Sequence, residues 1–290
     1  MRLADWGVIR AIGADAASFL HSQLTQDIEN LAPGVARLAG YCSAKGRLLA
    51  SFIVWRGMAD DEILLACSAD VLASTLKRLS MFVLRAKCTL SDASAELPLW
   101  GVVGPAASGP WRVTRDASGD AIRLPDVDGQ SRQLLATRGT VPAPPPLDAG
   151  EWSRLEVRSG IARIVARTAE QFVPQMVNLE LVGGVNFQKG CYPGQEIVAR
   201  SQYRGTIKRR AMLFETDSTL APGDEVFHEA DPAQPAGMVV NAAPRAGRGS
   251  VALIEVKLSA LDAGSLHAGA ANGPLLAPAA LPYELAADTA

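Results

Sequence analysis

One short run, Lys189–Arg200, limits the local fold more than any other part of the chain, because it reads KGCYPGQEIVAR. Gly190 and Gly194 permit backbone conformations that other residues avoid, and Pro193 fixes one dihedral angle between them. Cys191 follows a lysine by two positions, and a nearby cation favours the reactive thiolate form of a cysteine. From residue types alone two interpretations stay open. The run is either a tight turn around an inert buried thiol, or a loop that presents a thiol and backbone amides to a ligand.

The composition is that of an ordinary globular protein. The 290 residues are 48% hydrophobic and 20% charged, with a formal net charge of −2. Such a chain is long enough for two or three domains and has no overall attraction to nucleic acid or anionic membranes. Asp5 and Arg10 lie where a signal peptide needs an apolar run, and no stretch reaches the roughly 18 apolar residues of a spanning helix. We therefore expect a cytoplasmic protein without membrane contact.

The cysteines and histidines do not form a recognisable metal-binding pattern. No two cysteines form a CxxC pair, which is typical of proteins from a reducing compartment. The positions are Cys42, Cys67, Cys88 and Cys191 for cysteine, and His21, His228 and His267 for histidine. Because these residues do not supply a plausible four-ligand set, we expect no metal site.

Hydrophobic periodicity predicts a chain of mixed helices and strands. A helix is expected over residues 13–31, with Asp15 as its N-terminal cap, and a second helix over residues 70–84. Ala44–Gly46 reads as a turn between two strands. A helix followed by a strand is expected over Glu151–Ile164.

Two changes in local sequence composition predict the domain organisation. Pro142–Pro146 reads as a stiff connector, and the sequence after about residue 204 contains only short strands between turn residues. We therefore predict an α+β protein of three parts. These are an N-terminal α/β module from residues 1–50 and 150–203, an inserted α/β module at 51–149, and a C-terminal β-barrel at 204–290.

Three segments of the chain resemble one protein family. KGCYPGQE, with the apolar residues and arginine that follow it, is similar to the hallmark of the YgfZ family, whose members are relatives of the glycine-cleavage T-protein. GADAASFLHSQLTQDI resembles the family's N-terminal helix, and YCSAKGR resembles its C-D-A-K-G-R turn. The chain departs from the family pattern at Ser43, where aspartate is usual, and at Gln26, where asparagine is common.

The resemblance implies a T-protein-like folate-binding fold, in which two α/β modules surround a central cavity. The ligand that it implies is tetrahydrofolate or a derivative, whose pterin ring needs apolar faces such as tryptophan to stack on. Trp6 and Trp152 occupy the local contexts of the family's folate-contacting tryptophans. We expect Trp55, Trp100 and Trp111 in core packing.

The resemblance also makes Cys191 the functional thiol of the hallmark run. Its role stays open among a transient thiolate ligand, a nucleophile and a redox-sensitive group. The other residues of this motif loop are Lys189, Gly190, Tyr192, Gly194, Gln195, Glu196 and Arg200.

The sequence argues against a working aminomethyltransferase. T-protein relatives rely on an acidic residue shortly after a glycine pair, but KGRLLASFIVW contains no carboxylate between Gly46 and Trp55. Proton handling and cation stabilisation then lack an obvious agent. The resemblance implies instead an accessory protein that supports iron–sulfur cluster assembly or repair and, through cluster enzymes, tRNA modification. Its partners would be folate and iron–sulfur enzymes or assembly factors. Two alternatives stay open: a folate-dependent one-carbon transferase, and a docking scaffold that needs no ligand.

The segment Arg200–Arg210, RSQYRGTIKRR, carries five cations in eleven residues. It suits either the glutamate tail of folate or a phosphate-rich partner, or else it is a solvated strand face. We favour the strand face and expect no direct binding of nucleic acid.

Overall fold

The structure is a computed structural model that describes residues 1–106, 108–139, 147–203 and 207–285. Within these ranges the chain forms three antiparallel sheets and four α-helices. The predicted α+β class is therefore confirmed. None of the helices in these ranges is long and apolar enough to cross a membrane.

The first sheet is built from the N-terminal third of the chain. Its strands are β1 (Trp6–Ile12), β2 (Ala36–Cys42), β3 (Leu48–Arg56), β4 (Glu62–Ser68) and β5 (Thr89–Asp92), in the order β2-β3-β4-β1-β5. Nearly every residue of β3 is buried, as an unbroken apolar run predicts for a strand covered on both faces. This sheet includes strands on both sides of residue 50, and the division into modules stays a prediction.

Helices α1 (Ala16–Gln23) and α2 (Ala69–Ser80) pack against this sheet. Helix α2 begins where predicted and buries Leu72 and Leu79 of its apolar stripe, but it ends at Ser80 and not at residue 84. Asp15 precedes α1 as predicted, but its carboxylate does not cap the helix. It accepts a hydrogen bond from the backbone N–H of Lys87 at 2.7 Å and so holds the segment that leads into β5.

The predicted helix over residues 13–31 is wrong in length. Helix α1 ends at Gln23, because Leu24 has an extended backbone (φ −105°, ψ 159°). The next residue, Thr25, donates its backbone N–H to the carbonyl of Gly40 at 2.9 Å and its hydroxyl to the carbonyl of Gly184 at 2.6 Å. These long-range hydrogen bonds hold the chain beside β2, so the later apolar positions are buried in extended chain.

The second sheet packs its apolar face against the first. Its strands are β6 (Leu99–Val103), β7 (Val113–Asp116), β8 (Gly119–Val127) and β9 (Gln130–Thr137), in the order β6-β9-β8-β7. Trp55 lies fully buried between the sheets, and its indole N–H donates to the Asp120 carboxylate at 3.0 Å. Its expected packing role is confirmed. The predicted connector Pro142–Pro146 lies outside the described residues.

Helix α3 (Ala149–Arg158) follows, and the strand predicted after it is wrong. Residues 161–165 belong to no strand. The backbone of this segment forms hydrogen bonds with the side chain of Asn241. The Asn241 amide accepts from the backbone N–H of Arg163 at 2.9 Å and donates to its carbonyl at 2.8 Å. Helix α4 (Gln195–Tyr203) precedes the C-terminal region.

The third sheet confirms the prediction of strands in the C-terminal part of the chain that the structure describes. Its members are β10 (Arg209–Thr216), β11 (Glu225–His228), β12 (Asp231–Pro244), β13 (Ser250–Lys257), β14 (Leu266–Ala268) and β15 (Ala277–Ala279). The strand order is β14-β11-β12-β13-β10-β15, with β14 and β15 at the edges. Closure of this sheet into a barrel stays a prediction.

Candidate functional site

A cavity lies where the three sheets meet helix α3. The space inside it that water-sized spheres can occupy is about 110 Å³. Strand β3 supplies Ser51, Phe52 and Ile53, the second sheet supplies Leu134, and β12 supplies Asn241. Most of the lining side chains are apolar, so a flat, largely apolar ligand suits the space.

The structure brings Trp6 and Trp152 together in this cavity. Trp152 is 1% exposed, and its indole N–H has no hydrogen-bond partner among the described residues. Trp6 is partly buried, and its indole N–H donates to the Glu156 carboxylate at 3.1 Å. An unpaired indole donor in a cavity wall is a group that a ligand can satisfy.

Glu156 places a carboxylate in the apolar cavity. It follows Trp152 by four residues on α3, so both side chains lie on one face of the helix. The Arg163 guanidinium lies 3.9 Å from this carboxylate and 4.9 Å from the centre of the Trp6 ring. Burial raises the pKa of the Glu156 carboxyl, while Arg163 acts in the opposite direction. The result is an acceptor for N–H groups, set beside a tryptophan face.

Sequence reasoning missed Glu156, Arg163 and Arg132, which also line the cavity. A signal existed for Glu156, because helical spacing from Trp152 places it on the same face. The two arginines had no such signal. Arg132 comes from β9, and Arg163 from the extended segment after α3.

Trp111 differs from its expected role in core packing, because it also lines the cavity. Its backbone is left-handed, with φ at +63°, which is rare for a bulky residue. Two backbone hydrogen bonds hold it there: its N–H donates to the Arg123 carbonyl at 2.7 Å, and its carbonyl accepts from Ala36 at 2.8 Å. Three of the five tryptophans thus contribute to one cavity.

Strand β3 carries no carboxylate toward the cavity. Its lining residues are Ser51, Phe52 and Ile53, and among the described lining residues the carboxylate is Glu156 alone. The residues that β3 places in the cavity wall therefore do not provide the acidic group on which T-protein relatives rely.

The motif loop lies apart from the cavity, against the end of α1. Lys189 donates its ammonium to the carbonyl oxygens of His21 and Leu24, at 2.7 Å in the case of Leu24. The same ammonium lies 4.9 Å from the centre of the Tyr192 ring. Burial lowers the pKa of Lys189 to about 8. This lysine therefore fastens the loop to the helix end.

Tyr192 anchors the loop in a hydrophobic core. It is 7% exposed and belongs to a cluster that also contains Cys42, Leu48 and Val157. Burial raises the pKa of its phenol above the ordinary value. Val157 also lines the cavity, so α3 connects the two regions.

Gly194 locks the motif loop onto the Ala44–Gly46 turn. Its φ is +78°, and a Cβ at this position would lie 2.5 Å from the Ser43 carbonyl oxygen and 2.6 Å from the Gly46 Cα. No side chain fits there without moving backbone. Gly190 is different, because its φ is not left-handed and a Cβ would lie 3.6 Å from the nearest atom, in His21. Two motifs far apart in sequence thus meet glycine to glycine.

The remaining motif residues begin helix α4. Gln195 is its first residue, and Glu196 pairs with Arg200 across one turn at 3.1 Å on the exposed surface. The IVA residues belong to this helix, where Val198 is fully buried and Ile197 is 37% exposed. Of the three apolar residues Ile197, Val198 and Ala199, Val198 alone is buried.

Cys191 is exposed, which contradicts the interpretation of the run as a turn around a buried thiol. Cys42 and Cys67 are buried, and burial raises the pKa of each thiol to about 12. Cys88 is partly buried, and burial raises its pKa as well. Among the four cysteines, Cys191 is thus the most exposed residue.

The thiol and the cavity are separate places. No residue of the described 188–200 segment lines the cavity. Among the described residues, no group of three or more His, Cys, Asp or Glu side chains could hold a metal ion.

The basic segment does not form the predicted strand face. Helix α4 ends at Tyr203, residues 204–206 lie outside the described ranges, and β10 begins at Arg209. Arg209 pairs with Glu255, and Arg210 forms a buried ion pair with Glu180. These two cations are occupied within the fold.

Comparison with solved structures defines the class of this fold. The chain is similar to the glycine cleavage system aminomethyltransferase T from Bartonella henselae, with a TM-score of 0.72 over 97% of this chain and 84% of that one. At 14% sequence identity the likeness shows the fold alone. It confirms the predicted T-protein-like fold.

Comparison with curated sequences identifies the family. The tRNA-modifying protein YgfZ of Edwardsiella ictaluri is 37% identical, in a match that covers 74% of this chain and 70% of that protein. The tRNA-modifying protein YgfZ of Klebsiella pneumoniae is 32% identical, with 77% and 73% covered. No family model matches the chain. The chain belongs to the YgfZ family.

Proposed function

We propose that this chain binds tetrahydrofolate or a derivative in the cavity and acts as an accessory protein for iron–sulfur enzymes. Through these enzymes it supports tRNA modification. Two findings support the proposal: its relatives bear the name tRNA-modifying protein YgfZ, and its fold is similar to an aminomethyltransferase. In this proposal the cavity lies between the N-terminal module (1–50 and 150–203), the inserted module (51–149) and the C-terminal barrel (204–290).

The observation that carries the proposal is the set of groups around the cavity. A pterin ring is flat, has apolar faces and carries N–H donors on its pyrimidine edge. Trp6 and Trp152 supply the faces, and the Glu156 carboxylate supplies an acceptor beside them. The unpaired indole N–H of Trp152 offers one donor to the ligand. The residues present therefore fit a reduced folate.

These side chains bind and orient the ligand. Bound tetrahydrofolate supplies a carrier of one-carbon units. Glu156 holds the N–H edge of the ring, while Arg163, which also pairs with Asp5 at 2.5 Å, fixes the position of the Glu156 carboxylate. The apolar walls exclude water from the ring faces.

The motif loop serves the partner in this proposal. Cys191 is exposed on a loop that Gly194, Lys189 and Tyr192 fix from three sides. A protein with an iron–sulfur centre can approach such a thiol, whereas no residue of the described 188–200 segment lines the proposed folate cavity. The role of the thiol stays open among ligand, nucleophile and redox-sensitive group.

A fluorescence titration tests the proposed ligand. Tetrahydrofolate is added to the purified protein while tryptophan emission is followed. We expect saturable quenching, and we expect Trp152→Phe to weaken binding by about 2- to 10-fold because the smaller ring loses stacking area and the indole donor. Glu156→Gln is expected to weaken binding by about 10-fold, since a charged hydrogen bond is lost.

Trp100→Phe is the matched control, because Trp100 lies outside the cavity wall. Its dissociation constant should equal that of the wild type. Absence of quenching in the wild type, or equal binding by the Trp152→Phe and Glu156→Gln variants, would refute the folate site. Formation of methylene-tetrahydrofolate from an aminomethyl-carrying protein would favour the one-carbon transferase instead.

A further inference from the structure

Arg132 differs from the other charged groups of the cavity, because the protein leaves it unpaired. It comes from β9, lines the cavity and is 3% exposed. Its Nε donates to the Pro125 carbonyl at 3.2 Å. Among the described residues its two Nη groups have no hydrogen-bond partner, and no carboxylate lies within 4.0 Å of the guanidinium.

Two neighbouring arginines, Arg123 and Arg163, have the close polar partners that a structural cation needs. Arg123 on β8 is also buried, and its guanidinium donates to Asp126, to Ser131 and to backbone carbonyls. Arg163 in the same cavity pairs with Asp5. Arg132 has no carboxylate partner among the described residues and a single backbone acceptor, the Pro125 carbonyl.

An unpaired buried cation is costly. Removing a guanidinium from water carries a penalty of several kcal/mol that only close partners offset. The compensation for Arg132 is weak: one backbone hydrogen bond to Pro125 at 3.2 Å, the more distant charges of Glu156 and Asp126, and the Trp152 ring centre at 6.0 Å, the outer limit of a cation–π contact. Burial lowers the pKa of Arg132 to about 10, so the group is still charged at neutral pH. The described residues of the free protein therefore hold a buried positive charge without a directly paired carboxylate.

We propose that Arg132 binds an acceptor oxygen of the ligand that occupies the cavity. This inference rests on the proposed function and names the part of the ligand that the cavity selects. Two oxygens of a reduced folate have this chemistry: a carboxylate of the glutamyl tail, and the carbonyl oxygen of the pterin ring. In either case Glu156 takes ligand donors and Arg132 takes a ligand acceptor, so the cavity rejects flat apolar molecules that lack both.

The test uses two ligands and the full-length protein. Tryptophan quenching is measured with tetrahydrofolate, and with 6-methyltetrahydropterin, which keeps the ring and lacks the glutamyl tail. We expect Arg132→Met to weaken tetrahydrofolate binding by about 10- to 100-fold, the effect of a lost hydrogen bond to a charged group. Weakened binding of both ligands assigns the ring oxygen, and weakened binding of tetrahydrofolate alone assigns the tail carboxylate.

The melting temperature separates this role from a structural one. Because Arg132 has no close partner in the free protein, Arg132→Met should leave the melting temperature of the ligand-free protein equal or higher. The rise on adding tetrahydrofolate should shrink. Arg158→Met is the control, since Arg158 lies on α3 outside the cavity wall and pairs with Asp128 and Glu215. It should bind tetrahydrofolate as the wild type does.

Two results would overturn the inference while leaving the folate site intact: unchanged affinity of Arg132→Met for both ligands, or a lowered melting temperature with unchanged affinity. A wild-type protein that binds neither ligand would overturn the proposed function, and this inference with it.

Discussion

The cavity and the motif loop differ in how their polar groups are satisfied. In the cavity the Trp152 indole N–H has no hydrogen-bond partner among the described residues, and the Arg132 guanidinium has one, the Pro125 carbonyl, and no paired carboxylate. In the loop, Lys189 is fully engaged with α1, and Gly194 interlocks with Gly46. Unpaired buried groups indicate a place where a ligand completes the structure. A loop held by these contacts, with an exposed thiol, indicates a rigid platform instead.

The comparison also separates two signals that look like one in the sequence. The hallmark run and the tryptophans suggest a single site in which the thiol faces the folate. In the structure, no described residue of the run lines the cavity, and Cys191 is exposed. The part of the chain that resembles its family most strongly is therefore the part that lies away from the proposed ligand.

Thiol labelling gives the largest expected difference between exposed and buried parts of the molecule. At pH 8, iodoacetamide should modify Cys191 first and leave Cys42 and Cys67 unmodified in the folded protein. Burial raises the pKa of those two thiols from 9.0 to about 12, which lowers their thiolate fraction by about 1,000-fold. Mass spectrometry of tryptic peptides against time measures the three rates.

Cys191→Ser is the control for labelling, and it should remove the fast phase completely. Rapid modification of Cys42 or Cys67 in the folded protein would show that the core beneath the loop opens readily. The description of the loop as a rigid platform would then be wrong.

The paired glycines of the loop give the next largest effect. Gly194→Ala should lower the free energy of unfolding by about 2 to 4 kcal/mol, because a Cβ collides with the backbone of Ser43 and Gly46 at a left-handed φ. Gly190→Ala should change it by less than about 1 kcal/mol, since its nearest contact is 3.6 Å away. Urea denaturation of both variants measures the difference. Equal destabilisation by the two substitutions would show that the loop is not held by the contact between the glycines.

The sequence predicted those helices, strands and turns that form because of residues close to one another in the chain. The apolar run of β3, the stripe of α2 and the Ala44–Gly46 turn were all correct. The errors arose where distant chain decides the outcome. Helix α1 ends early because Thr25 binds Gly184, 159 residues away, and no local signal reports that contact.

The site shows the same limit. Trp6 and Trp152 were placed by resemblance, and the structure puts them in one cavity. Arg132 was not predicted, because an arginine in a strand usually reads as a solvated residue. The packing of the sheets reveals that it is buried, with no paired carboxylate among the described residues. The sequence did not predict that Trp111 lines the cavity. This position depends on a left-handed backbone that hydrogen bonds from two other segments hold in place.

One measurement compares the two regions directly. The protein is labelled with 5-fluorotryptophan, a trifluoromethyl group is attached to Cys191, and tetrahydrofolate is added while the fluorine NMR spectrum is recorded. We predict that the resonances of Trp6 and Trp152 shift, while those of Trp55 and Trp100 and of the probe on Cys191 stay unchanged. A shift of the Cys191 probe without any change at Trp6 and Trp152 would contradict the assignment of the cavity as the folate site.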